Sequence, residues 1–240
     1  MTTKTMHQET APRRGSRLAA AGRVDTKKLA AMAMLVALAY VVTAMTRLPL
    51  VGAAPYLKYD PKDVVLVIGG FLYGPMAAAG MSIVTCLIEM FTVSESGFIG
   101  FVMNVLASWA FVCPAAFLYQ KRRTIRGAVA GLTCGVVLMT ATMLLWNFLI
   151  TPLYQDLTRE AVTEMLIPIF LPFNALKAGL NMALAILLYQ PINNALRRAH
   201  LLPALPDGQT RRKINLGNLL FGAVLLGVCI LLVEVALGNL

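Results

Sequence analysis

The stretch LIPIFLPFNALKAGLNMALAILLYQ, residues 166–190, is apolar enough to cross a bilayer, yet it carries Lys177 well inside its length. Asn174 stands three residues before that lysine and Asn181 four residues after it, so a helix sets all three on one face. If the helix begins near Ile167, Lys177 lies about 15 Å along the axis, at about 1.5 Å per residue. That is close to the midplane of a hydrocarbon core roughly 30 Å thick. A lysine side chain reaches about 6 Å, too little to snorkel to the surface from there. Facing lipid at this depth, it costs about 2.5–3.5 kcal/mol on insertion scales. Two arrangements remove that cost. Either the ammonium group shares a polar ligand cavity with the asparagines, or it is bonded to backbone carbonyls of a neighbouring helix.

The rest of the chain supports a membrane setting. Its 240 residues are 58% hydrophobic and 13% charged, too few charges to cover a soluble domain of this size. Continuous apolar runs predict helical spans at 29–46, 62–73, 75–92, 98–119, 127–150, 167–196 and 215–237. They do not alternate every second residue as barrel strands do. The second and third spans are separated only by Gly74-Pro75, and either is short or tilted. The expected fold is an all-α integral membrane bundle of six helices, with an additional C-terminal transmembrane helix.

The formal charge of +10 is unevenly placed. Basic residues concentrate in the N-terminal 28 residues, in KRRTIR at 121–126, and in 197–213. All three segments fall on one side of the expected topology, which places the N-terminus in the cytoplasm. Residues 1–28 read as a flexible basic cytoplasmic tail without the apolar core of a signal peptide. Residues 29–198 form the bundle, 199–214 a cytoplasmic linker, and 215–240 an appended span. Residues 151–168 suit a short amphipathic helix on the membrane surface.

Other polar residues compete with Lys177 for a functional role. Asn147 in LLWNFLITPLY and Asn104 in GFVMNVLAS each lie in a span, where an unpaired amide costs roughly 1–3 kcal/mol. Each is either a ligand contact or an interhelical hydrogen bond. Trp146 and Tyr154 read as interface-belt aromatics. The first outer loop, 47–63, has three prolines and a glycine and reads as a shaped loop bearing Lys58, Tyr59, Asp60, Lys62 and Asp63. Its charges are either solvated or a hydrogen-bonding lid over an outward pocket. Glu89 is expected to be a solvated helix end, and Glu234 lies near the end of the seventh span. Ala33 and Ala37 form a small-xxx-small pair that lets another helix approach closely. The four cysteines form no CxxC pair and read as small apolar residues, with no metal or disulfide framework. No Walker loop, zinc motif or nucleophile elbow is present, so the sequence predicts neither an enzyme nor a motor.

Three stretches carry a family resemblance. YLKYDPKDVVLVIGGFLYGPMAA (56–78), NFLITPLY (147–154) and LPFNALKAG (171–179) resemble the riboflavin-specific S components of energy-coupling factor transporters, the RibU group. The similarity covers roughly 27–198. The FLYGP block is shared with several vitamin-specific S components, whereas Asn147 combined with Asn174 and Lys177 points to riboflavin. The resemblance implies high-affinity riboflavin capture from outside, as a transported ligand and not a cofactor. It implies a plasma-membrane complex with a transmembrane coupling subunit and two ATPase subunits. It implies that Asn147, Asn174 and Lys177 meet the substrate and that Ala33 and Ala37 meet the coupling subunit; Lys58 and Asp60 suit the ribityl hydroxyls, and Tyr59 and Asn104 complete the candidate substrate contacts. The competing expectations are an S component for another vitamin, a standalone ion-coupled transporter using Glu89 or Glu234, and a membrane scaffold without a ligand. The seventh span has no counterpart in the six-helix family pattern.

Overall fold

The computed structural model describes residues 26–49, 57–94, 96–154, 157–198 and 216–237. Most of the expected basic tail, the 199–214 linker and the side chains of Tyr154 and Glu234 lie outside the described residues. Helix α1 spans Thr26–Met45. A two-residue antiparallel pair follows, β1 (Leu48–Pro49) against β2 (Lys58–Tyr59), within the loop expected to be irregular. Then come α2 (Lys62–Tyr73), α3 (Pro75–Thr92), α4 (Gly97–Arg122), α5 (Ile125–Tyr154) and the short α6 (Arg159–Met165). A π-helical turn, Leu166–Phe170, leads into α7 (Leu171–Arg198), and α8 (Leu216–Leu237) ends the described chain. Among the described residues, five helical stretches are long and apolar enough to cross a membrane: α1, α3, α4, Ile125–Leu153 and Arg159–Tyr189.

Helix α2 is the exception, and it organises the rest. Twelve residues rise about 18 Å, well short of a hydrocarbon core roughly 30 Å thick. Ten of the twelve are buried, so α2 is a central core helix and not a lipid-facing span. It packs against α1, α3, α4 and α7. Gly74 ends it with φ 101°, a conformation that favours glycine, and Pro75 opens α3 at once. The two helices are thus joined by the tightest turn in the bundle. Because α2 is short and starts inside the bundle, its N-terminal Lys62 and Asp63 are carried inward with it.

The extensive α4–α5 contact has a local cause in the sequence. Gly131 and Gly135, four apart on α5, face the α4 backbone. A β-carbon at Gly131 would lie 2.7 Å from the Ala115 carbonyl oxygen, and one at Gly135 would lie 2.5 Å from that of Phe111. This is the close approach that paired glycines permit in membrane helices. Gly135→Ala is expected to cost about 1–3 kcal/mol through overpacking against rigid backbone. Gly80→Ala, whose β-carbon meets nothing within 4 Å, is the control. Thermal unfolding of the two variants side by side checks this.

At one end of the bundle, Phe71, Tyr119 and Tyr189 pack ring to ring, with the two tyrosine hydroxyls 2.5 Å apart. The opposite end gathers β2, the N-termini of α2, α4 and α7, and the C-termini of α3 and α5.

Candidate functional site

A cavity of about 720 Å³, its open mouth included, lies at this second end. Its wall mixes polar and apolar residues. Lys58 and Asp60 come from the first loop, Asn104 from α4, Asn147 from α5, and Asn174 and Lys177 from α7. Met103, Ala107, Met139, Met143 and Phe173 supply the apolar part. At the mouth, Arg47 donates a hydrogen bond to the Val93 carbonyl, tying the first loop to the end of α3.

Two of the lining amides are aimed by their own helices. Asn147 Nδ2 donates to the Met143 carbonyl at 2.8 Å, and its Oδ1 accepts from Thr151 Oγ1 at 2.9 Å. Asn174 Nδ2 donates to the Phe170 carbonyl at 2.8 Å. The π-helical turn at Leu166–Phe170 immediately precedes that carbonyl's use. A primary amide has two N–H donors and two acceptor positions. Each asparagine therefore keeps a donor and an acceptor beyond these bonds, while its orientation is fixed.

Lys177 is buried at 7% exposure and faces Asp60, with Nζ 3.0 Å from Oδ1. It is thus neither in lipid nor tied to backbone carbonyls, the alternative left open by the sequence. The contact is an ion pair without hydrogen-bond alignment, since Oδ1 has no hydrogen-bond partner. An ammonium group has three N–H donors, so donors remain for a guest in the cavity. The other Asp60 oxygen accepts from Lys62 Nζ at 3.0 Å, and Lys62 donates again to Glu89 Oε2 at 2.8 Å. A chain of alternating charge therefore runs Lys177–Asp60–Lys62–Glu89. Burial alone would push the Asp60 carboxyl up, but Lys177 and then Lys62 outweigh it and hold the group below the usual carboxylate range.

A second buried polar group lies beside it. Ser108 donates to Asp63 Oδ1 at 2.5 Å, Asn181 Nδ2 lies 3.4 Å from Asp63 Oδ2, and Tyr59 donates to Asn181 Oδ1 at 3.0 Å. Buried ionisable groups in membrane proteins persist when they pair with one another. Here Asp60, Lys62, Asp63 and Glu89 are each 3% exposed or less.

Several expectations need correction. Glu89 is not a solvated helix end but a buried partner of Lys62. Lys62 and Asp63 are not solvated loop charges; they begin α2 inside the protein. Tyr59 is not part of the cavity wall. Its ring packs behind the wall with Phe173, Leu176, Leu180 and Cys229. Trp146 is only partly exposed and packs against the main core. Lys58, Asp60, Asn104, Asn147, Asn174 and Lys177 are brought together around one cavity. Ala33 and Ala37 point away from the bundle on the exposed face of α1, opposite the buried Ala31, Leu35 and Ala39.

Such an arrangement, a membrane helix bundle with a polar cavity and a buried ionic support, defines a small-molecule binding protein of the membrane. The family model "ECF transporter, substrate-specific component" matches residues 27–189, and the chain belongs to that family. It is 31% identical to the riboflavin transporter FmnP of Bacillus subtilis (strain 168) over 163 residues, which is 64% of this chain and 85% of that protein. It is 28% identical to the riboflavin transporter RibU of Staphylococcus aureus (strain TCH60), covering 72% of this chain and 94% of that protein. A solved structure reported as "Structure and mechanism of the S component of a bacterial ECF transporter" superposes with TM-score 0.61 at 28% identity. The superposition covers 73% of this chain and all of that one.

Proposed function

We propose that this chain is the riboflavin-capturing S component of an ECF transporter, taking the vitamin from outside for ATP-driven uptake by partner subunits. The observation that carries this reading is the set of oriented amides and a lysine facing an apolar wall in one cavity. The isoalloxazine ring is flat and apolar, with a uracil-like edge of two carbonyls and an N–H. Met103, Met139, Met143 and Phe173 suit the flat faces. Asn147 and Asn174 each offer a donor and an acceptor to the edge, and Lys177 offers donors to a ring carbonyl or nitrogen. Because Asp60 already balances Lys177, a neutral guest enters without leaving an unpaired charge. Lys58 and Asp60 are placed for the ribityl hydroxyls.

The same reading assigns residues 29–198 to the binding domain, the N-terminus to the cytoplasm, and the cavity mouth to the outer face. It assigns the exposed Ala33–Ala37 face of α1 to the coupling subunit, with ATP hydrolysis in two separate ATPase subunits. On this reading the chain itself is not an enzyme and needs no cofactor. The test is mass spectrometry of the small molecule that co-purifies with the detergent-solubilised protein. Riboflavin at near one per chain, with quenched flavin fluorescence, is the expected result. A different vitamin, or an empty cavity that riboflavin cannot fill on titration, would refute it.

A further inference from the structure

Helix α8 lies beyond the residues that the family model matches, yet it packs into the apolar cluster around Tyr59, between the cavity-lining Lys58 and Asp60 in sequence. It packs on α7 through small residues. A β-carbon at Gly222 would meet the Leu187 side chain at 2.8 Å, and one at Gly179 of α7 would meet Cys229 Sγ at 3.3 Å. This packing carries Cys229 into an apolar cluster with Tyr59, Phe173, Leu176 and Leu180, separate from the main core, and Leu226 packs against that cluster. Tyr59 is the second residue of strand β2. Along an extended strand, successive side chains point to opposite faces. Lys58 and Asp60 accordingly flank Tyr59 on the other face and line the cavity. The Tyr59 ring is held by α7 and α8, and its hydroxyl by Asn181. A shift of Tyr59 would carry Lys58 and Asp60 with it.

We propose that α8 is an intramolecular clamp on the lid strand: through Cys229 and Leu226 it holds Tyr59, fixing Lys58 and Asp60 at the cavity wall and slowing ligand release. This rests on the riboflavin-binding reading for its ligand, but the clamp itself is a property of the strand. Cys229, Leu226 and Tyr59 are positioning residues and do not touch the guest. A lid that opens less often slows dissociation more than it changes affinity-determining contacts, so the effect belongs in the release rate.

The test uses the full chain with three substitutions. Gly222→Leu places a side chain where even a β-carbon is crowded, prising α8 from α7. Cys229→Ala removes the sulfur from behind Tyr59 without altering the helix. Gly227→Leu, at a position where a β-carbon meets nothing within 4 Å, is the control. Riboflavin association and release are followed by stopped-flow fluorescence. Release is expected to rise about tenfold in Gly222→Leu and about threefold in Cys229→Ala, with association within about twofold and the control unchanged. Hydrogen exchange at residues 57–60 reads the clamp without any ligand, and is expected to quicken in the same two variants. Unchanged release and exchange in both, or equal changes in Gly227→Leu, would overturn the clamp. A chain that binds no riboflavin but shows the exchange change would overturn the ligand and leave the clamp standing. If Gly222→Leu does not fold, Cys229→Ala alone decides.

Discussion

Lys62→Met is expected to destabilise the protein by about 3–5 kcal/mol, the usual cost of removing one partner from a buried charge network. Lys62 is 1% exposed and is the only cation donating to both Asp60 and Glu89 among the described residues. Methionine fills much the same volume, so the loss is electrostatic and not a packing defect. Without the ammonium group, among the described residues Glu89 keeps no counter-charge and Asp60 keeps only Lys177. Total stabilities are about 5–15 kcal/mol, so the variant is left near the threshold for accumulation. Yield of monodisperse protein and the thermal unfolding midpoint measure it. Partial recovery is expected when Glu89→Gln is added, because the second change removes the orphaned charge. A midpoint equal to wild type in Lys62→Met would show that the network does not support the fold.

That network also marks where the sequence was hard to read. Lys177, Asn104, Asn147 and Asn174 were legible because each interrupts a long apolar run, and polarity inside a span demands an explanation. The number and order of the helices were legible for the same reason. Asp60, Lys62 and Asp63 sit at the edge of a run, where charges are ordinarily solvated. Glu89 sits near a helix end, and its partner is 27 residues away in the chain. Spatial pairing across that distance has no local signature. A length argument was nevertheless available. A helix of twelve residues tied by the single residue Gly74 to the next cannot start at the surface if it ends there. It falls short by about 12 Å, so Lys62 and Asp63 must begin below it. Tyr59 is adjacent to Lys58 and Asp60 in sequence, but the strand turns its side chain to the other face, and so short a β pair leaves no periodic trace.

Lys177→Met is expected to lower riboflavin affinity by about 10–150-fold, the equivalent of losing a hydrogen bond from a charged donor worth about 1.5–3 kcal/mol. The effect separates from that of Lys62 because of where each lysine stands in the chain of charges. Lys177 is at its end and lines the cavity, whereas Lys62 is in its middle and does not. Removing Lys177 leaves Asp60 hydrogen-bonded to Lys62, so the carboxylate remains paired and the bundle is expected to fold and insert. Removing Lys62 leaves Glu89 alone, so folding suffers first. Lys177→Arg keeps the charge but not the compact donor, and its planar fork does not fit the single oxygen at Asp60 Oδ1 in the same way; partial affinity is expected. Fluorescence titration with riboflavin, beside gel filtration of each variant, distinguishes the two roles. If Lys177→Met binds as tightly as wild type while remaining folded, the lysine only neutralises Asp60. The grip on the guest would then fall to Asn147 and Asn174, whose Ala variants would have to carry the loss instead.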